Sequence, residues 1–302
     1  MATVQITTWD EFKTALTESI TEDTTYEIMN DIDVSDTVIS NTITIPTSNF
    51  TKTFNGNGHD INGITSYSAI GIFQKAASCT IIFNNTNFTN VMLQTGYLFY
   101  FNNPQTGSYY PLTFNECLFN GLTLRLFSNI NSGYACYTYL NRCSINVECT
   151  CLTYGSGYYF TECYIIINPI QGTSTCSLDP RSSNSNYIHL ANCYIAGSIY
   201  ISYNTSAYIV GGTYYNASTC YNNVFNYEVH ITNYSESTTY YWTGGNVPES
   251  RCSLYNSEKV YGGTGTDTPI TCGTRTNFDG LTDTQLKSRT YIKENTSFPL
   301  YG

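Results

Sequence analysis

A five-residue frame recurs through the middle of this chain and leaves few folds open to it. It reads NECLF at Asn115–Phe119, NRCSI at Asn141–Ile145, TECYI at Thr161–Ile165 and ANCYI at Ala191–Ile195. TCYNNVF around Cys220 is a looser copy, and NTNF at Asn85–Phe88 is an earlier one without cysteine. Cys117, Cys143, Cys163, Cys193 and Cys220 are 26, 20, 30 and 27 residues apart. Constant copies at unequal spacing describe strands of fixed length joined by loops of variable length, which is how a solenoid is written in sequence. Cys163, Ile165 and Ile167 share one parity, as do Cys143, Ile145 and Val147, while Tyr164, Ser144 and Tyr194 take the other. Strand side chains alternate between faces, so copies stacked about 4.8 Å apart put a column of cysteines and a column of branched apolar residues inside. One coil cannot bury such a face alone; its neighbours must cover it. The expected fold is all-β, a single right-handed parallel β-helix.

The ends of the chain read differently. Thr8-Trp-Asp-Glu11 matches a capping box, and Trp9, Phe12, Leu16 and Ile20 follow at helical spacing, predicting a short helix over 8–20. Such a helix suits a lid on the open end of a solenoid, whose apolar core and strand edge are otherwise exposed. The expected organisation is an N-terminal capping segment (1–25), the β-helix (26–275) and a C-terminal capping segment (276–302), with a second short helical turn near 282–288.

Composition narrows the partners. Only 11% of the 302 residues are charged and the net charge is −10, with no cluster of Lys or Arg to neutralise a run of phosphates. Nucleic acid is therefore not an expected partner. No stretch approaches the roughly 20 apolar residues of a membrane span, so no membrane insertion is expected. The opening MATVQITTWDEF lacks a basic-then-apolar leader, which points to synthesis and assembly in a cytoplasm.

Several runs resemble a known type of protein. TTWDEFKTAL, YEIMNDIDVSD, FNGNGHDINGI, GIFQKAASCTI and IIFNNTNFTN, within residues 3–92, are similar to bacterial adhesin-type and phage-borne pectin-lyase-like β-helices. NFDGLTDTQLKSRTYIKENTSFPL, within 277–300, resembles the closing segment of GLUG-repeat surface proteins. The resemblance implies the fold and a surface placement, as an adhesin or a phage spike or fibre. It carries no shared catalytic set.

The residues that could carry chemistry are few. Among twelve cysteines no C-x-x-C occurs, and His59, His189 and His230 are far apart in sequence, so neither a metal site nor any other cofactor is expected. The inward parity makes Cys117, Cys143, Cys163 and Cys193 buried free thiols that act as small hydrophobes. Glycosidases need two converging carboxylates, but no aspartate lies between Asp60 and Asp179 and no Asp-Asp or Arg-x-Lys pattern is present. Asp31 and Asp33 share a parity where the solenoid opens and read as structural. If the frame is all strand, Glu116, Arg142, Glu162 and Asn192 face outward as a ladder that imitates an acid pair but carries a guanidinium in its middle, which favours ionised carboxylates. Exposed aromatics are the stronger binding signal. Tyr164, Tyr194 and Tyr200 on strands, and Tyr240, Tyr241 and Trp242 in a loop, could meet sugars, sister chains or only solvent.

The expected function is that of a non-enzymatic structural or surface-binding virion protein: a fibre, spike or capsid decoration on the virion surface. Other virion proteins and host-surface glycans are the expected partners, and a homotrimer is one form of assembly. A cell-surface adhesin and a polysaccharide depolymerase are the alternatives. The inward parity sets a test. Thiol titration of native protein should find few reactive groups, and denaturation without reductant should release most of the twelve; mainly disulfide-bonded frame cysteines would contradict the parity or the compartment.

Overall fold

The computed structural model describes residues 2–67, 71–75, 79–101, 111–129, 137–154, 157–171, 176, 178, 188–201, 220–221, 223–231, 253–256, 260–262, 268–269 and 278–281. Over these residues the chain is a right-handed parallel β-helix with one helix, near the N-terminus. The first sheet stacks nine strands in chain order, from Ala2–Ile6 through Thr24–Ile28, Thr51–Asn55, Thr80–Asn84, Leu112–Asn115, Thr138–Asn141, Tyr158–Thr161 and Ile188–Ala191 to Cys220–Tyr221. The second sheet carries Asn87–Phe101, Leu118–Asn129, Ser144–Glu148, Tyr164–Asn168, Tyr194–Ile201 and Val224–Ile231 in the same order. Pairing continues through Ser253–Asn256 to Phe278–Leu281. One antiparallel pair of strands is present among the described residues, Val260–Gly262 with Thr268–Pro269. The turn expected near 282–288 lies outside the described residues.

The recurring frame is the corner between the two sheets, not an unbroken strand. Asn115 ends a strand of the first sheet and Leu118 begins one of the second. Between them Glu116 has φ +57°, and Asn85, Arg142, Glu162 and Asn192 take the same left-handed conformation at +45°, +53°, +56° and +55°. This corrects the strand-alternation argument for the four ladder residues: they point outward because a left-handed residue turns the chain. The corner also keeps its hydrogen bonds. The amides of Asn85, Glu116, Arg142 and Glu162 donate to the carbonyls of Asn115, Asn141, Thr161 and Ala191 on the next coil, at 2.8–2.9 Å. In the other direction, the thiols of Cys117, Cys143, Cys163 and Cys193 donate to the carbonyls of Phe83, Phe114, Leu140 and Phe160 on the previous coil, at 3.3–3.5 Å. At the same corner Asn84, Asn115 and Asn141 each donate through Nδ2 to Oδ1 of the asparagine one coil back, beginning at Asn55, at 2.8–2.9 Å.

Cys220 is not the fifth member of the cysteine column. Register pairs it with Leu190, and the corner place on that coil belongs to Asn223. Buried Asn223 accepts from the Cys193 amide at 2.9 Å and donates to the Leu190 carbonyl at 3.0 Å, so its amide serves the carbonyl that a thiol would. Matching on cysteine misaligned this copy; matching on the apolar pair Val224-Phe225 aligns it.

The core is stacked in columns. Tyr26, Phe54, Phe83 and Phe114 lie face to face at 4.8–5.2 Å, as do Phe88 and Phe119 at 5.4 Å. Ile145, Ile165 and Ile195 continue the Phe88 column. At the N-terminal end the helix Trp9–Thr17 lays Phe12 against Phe54 and Phe73 at 5.5 and 6.2 Å. Its capping box forms as expected, Glu11 accepting from the Thr8 amide at 3.1 Å and the Glu11 amide donating to Thr8 Oγ1 at 3.3 Å.

The helix stops at Thr17 rather than at 20, and a buried lysine explains the early stop. Lys52 sits at an inward position of the first sheet, wholly shielded from solvent. Its Nζ donates to the carbonyls of Ala15, Leu16 and Glu18 at 2.7, 2.9 and 2.7 Å. These are carbonyls that the end of a helix leaves without partners, and a cation there also complements the helix dipole. One side chain therefore holds the lid to the coil. Lys52→Met should lower unfolding stability by about 3 kcal/mol, because three buried carbonyls lose a charged donor, and urea unfolding of the variant against the parent measures it.

Candidate functional site

The corner column is exposed at Glu116 and Arg142 and half-buried at Glu162 and Asn192, and the chemistry of the exposed pair is already spent on itself. Arg142 donates through Nε and Nη2 to the same oxygen of Glu116, at 2.9 and 2.7 Å. The cysteines one position further on, Cys117, Cys143, Cys163 and Cys193, are buried and free. Burial holds the Cys117 and Cys163 thiols well above the usual range, so as packed they are neutral donors rather than nucleophiles. Asp31 and Asp33 are bonded into the first coils. Asp31 accepts from the Asp60 amide at 3.0 Å and lies 3.1 Å from His59 Nδ1, while Asp33 accepts from the Ser35 amide at 3.0 Å and from Asn62 Nδ2 at 3.2 Å. These donors hold both carboxyls below the ordinary range.

Aromatic rings form columns on the outer faces. On the first sheet Tyr159 is sandwiched between Tyr139 at 4.9 Å and His189 at 3.9 Å, three residues in register on successive coils. On the second sheet Tyr164 stacks on Tyr194 at 5.2 Å, and Tyr200 stacks on His230 at 4.5 Å, which meets Tyr261 at 5.2 Å. A ring sandwiched in this way offers a partner its edge and hydroxyl, not its face. Tyr200 is also packed against the core, so it is not the free platform expected from parity. Tyr194 accepts at its hydroxyl from Asn226 Nδ2 at 2.7 Å. Tyr164 is the most open of the three at 40% exposure, and its neighbour on the preceding coil is the small Ser144. Tyr240, Tyr241 and Trp242 lie outside the described residues.

The sequence reading named Tyr164, Tyr194 and Tyr200 but missed Tyr139, Tyr159 and His189. A signal for them exists: each stands four residues before a frame cysteine, Cys143, Cys163 or Cys193.

The second sheet also holds a groove of about 360 Å³, lined by Asn90, Val91, Met92, Asn120, Gly121, Leu122, Asn146, Glu148 and Asn168. Register explains the lining, since Asn120 pairs with Asn146, Leu122 with Glu148 and Glu148 with Asn168. Gly121, at φ +143°, keeps the floor low, because a Cβ there would run into the Val91 carbonyl. Nothing in the sequence reading pointed to this groove, although Asn120 and Asn146 each stand three residues after a frame cysteine, Cys117 or Cys143.

Comparison with known proteins bears on the same region. Residues 3–121 match the family model of a pectate lyase-like adhesive domain. Together with the parallel coil, that similarity supports a pectin-lyase-like β-helix. No curated protein and no solved structure matches the chain. The matched stretch runs from the first strand through the lid and the Asn55–Asn84–Asn115 ladder, and it ends inside the groove at Gly121.

Burial against Tyr159 has a titration consequence for His189, whose pKa falls from 6.5 to about 4 because desolvation disfavours the charged ring. The unfolded chain then binds the proton more readily than the folded one, so stability is full above about pH 6.5 and declines as pH falls toward about 4. His189→Phe keeps a flat ring and removes the titration. The difference in thermal midpoint between parent and variant should therefore change through this window, in the direction of a relatively less stable parent at low pH; a pH-independent difference would show that the ring is not held neutral.

Proposed function

We propose that this protein is a non-enzymatic adhesive coil, displayed on a surface, whose outer faces bind surface polysaccharide. The observation that carries the reading is the match of residues 3–121 to an adhesive domain, over coils whose buried side consists of bonded corners and stacked rings. The exposed charges nearest to an acid pair support it as well. Glu116 is engaged by the Arg142 guanidinium, on a left-handed backbone position that serves the turn.

The finer reading places the coil on a virion, as a fibre, spike or capsid decoration contacting other virion proteins, with a cell-surface adhesin as the alternative carrier. Mass spectrometry of purified particles against cell envelopes separates the two.

For the activity itself, beads coated with the protein should adhere to cells bearing capsular polysaccharide, and prolonged incubation with the isolated polysaccharide should release no new reducing ends. Glu116→Gln and Glu162→Gln should leave adhesion intact. Reducing ends that appear with the parent and vanish with either variant would establish a depolymerase instead.

A further inference from the structure

The chain uses asparagine in two ways on successive coils, and the contrast identifies a binding site. At the corner, Asn55, Asn84, Asn115 and Asn141 form a closed chain of amide bonds at 2.8–2.9 Å. In the groove on the second sheet, Asn120 and Asn146 are equally in register, one coil apart. Both are exposed, and neither bonds to the other or to another side chain among the described residues. In the next column Glu148 is exposed and in register with half-buried Asn168, and no side chain among the described residues bonds to either. Asn90 is tied through Nδ2 to Asn62 at 2.7 Å, which closes this row at its N-terminal end. Met92, 46% exposed, and half-buried Leu122 supply an apolar strip beside the amides.

We propose that this groove binds a linear, uncharged hexose polysaccharide laid along the coil axis. This deepens the adhesive reading above and rests on it. Open amides offer both donors and acceptors to sugar hydroxyls, and an ionised carboxylate takes hydroxyl donors in short, charge-assisted bonds. The apolar strip matches the C–H face of a pyranose, and few polar groups converging over an apolar floor are the usual make-up of a small-molecule site. The row from Asn90 to Asn168 crosses four coils, about 14 Å at the strand spacing, the length of a trisaccharide. No Lys or Arg lines the groove, whereas Glu148 does. A polyuronate would meet only repulsion there, so the ligand is a neutral chain. Tyr164 lies on the same outer face, two residues before Ile166, which is in register with Asn146, and extends the surface toward later coils.

The test uses the full chain and hexasaccharides of β-glucan, α-mannan and galactan, with hexagalacturonate as the charged comparison, in titration calorimetry. At least one neutral hexamer should bind, and hexagalacturonate should not. Asn120→Ala, Asn146→Ala and Glu148→Gln, all at exposed positions, should each weaken that binding by about tenfold with an unchanged thermal midpoint. Glu162→Gln, which removes the same charge elsewhere on the surface, should leave it unaltered. Binding of hexagalacturonate in preference to the neutral chains overturns the proposal, and so does neutral binding that survives all three groove variants. If no hexamer binds while coated beads still adhere to cells, the groove assignment falls and the adhesive reading stands. If a neutral hexamer binds through the groove while beads do not adhere, the groove assignment stands and the adhesive reading falls.

Discussion

No coil of this protein can satisfy its own backbone. Parallel strands take their partners from the coils before and after, so the hydrogen bonds must pass without interruption along the axis, including the places where the chain turns from one sheet to the next. A buried corner that dropped them would leave polar groups unpaired at about 1–3 kcal/mol each. The recurring frame answers that requirement. One left-handed residue turns the chain while its amide reaches the next coil. The cysteine after it sends its thiol to the previous coil. Asn223 does the same work with an amide, so the requirement is for a small buried donor rather than for sulfur.

That constraint divides the molecule. Inward positions are all committed to packing, whereas outward positions bond or stack along some columns and stay open on others, so the same residue type can be structural on one column and open on another. Asn115 is one link in a closed chain of amides, while Asn120, five residues later on the outer face, has no side-chain partner among the described residues. Adhesion asks only for an outer surface of suitable chemistry held at regular spacing, and a coil whose inside is fixed can vary that surface without cost to its stacking. The lid follows from the same reasoning, since the first coil has no predecessor to cover it. Phe12 covers the ring column, and Lys52 ties the helix end down.

Much of this was legible in the sequence, and the misses have physical causes. Parity within each copy gave the inward column correctly, because Ile145, Ile165 and Ile195 follow strand alternation. The corner was not legible as a corner, since Glu and Arg carry no mark of a left-handed backbone where Gly or Asn would. Cys220 drew the alignment because cysteine is conspicuous, although Asn223 fills the place. Residue type gives no mark of burial at Lys52; its shared parity with Phe54 in TKTFN is the one sign that it points inward. The groove went unread for a different reason: Asn120 and Asn146 each stand three residues after a frame cysteine and so fall in register, but residue type alone does not show whether an asparagine amide is bonded along its column or open.

The central claim is that the corners carry the coil-to-coil hydrogen bonding and belong to the cooperative core. Native-state hydrogen exchange of the corner amides of Asn85, Glu116, Arg142 and Glu162 tests it most directly, because the first three are exposed and Glu162 half-buried, yet all four are bonded through the backbone. The account predicts that they exchange only with global unfolding, as slowly as the strand amides of Phe114 and Ile145. Exchange at the rate of surface turns, while the flanking strands stay protected, would contradict it.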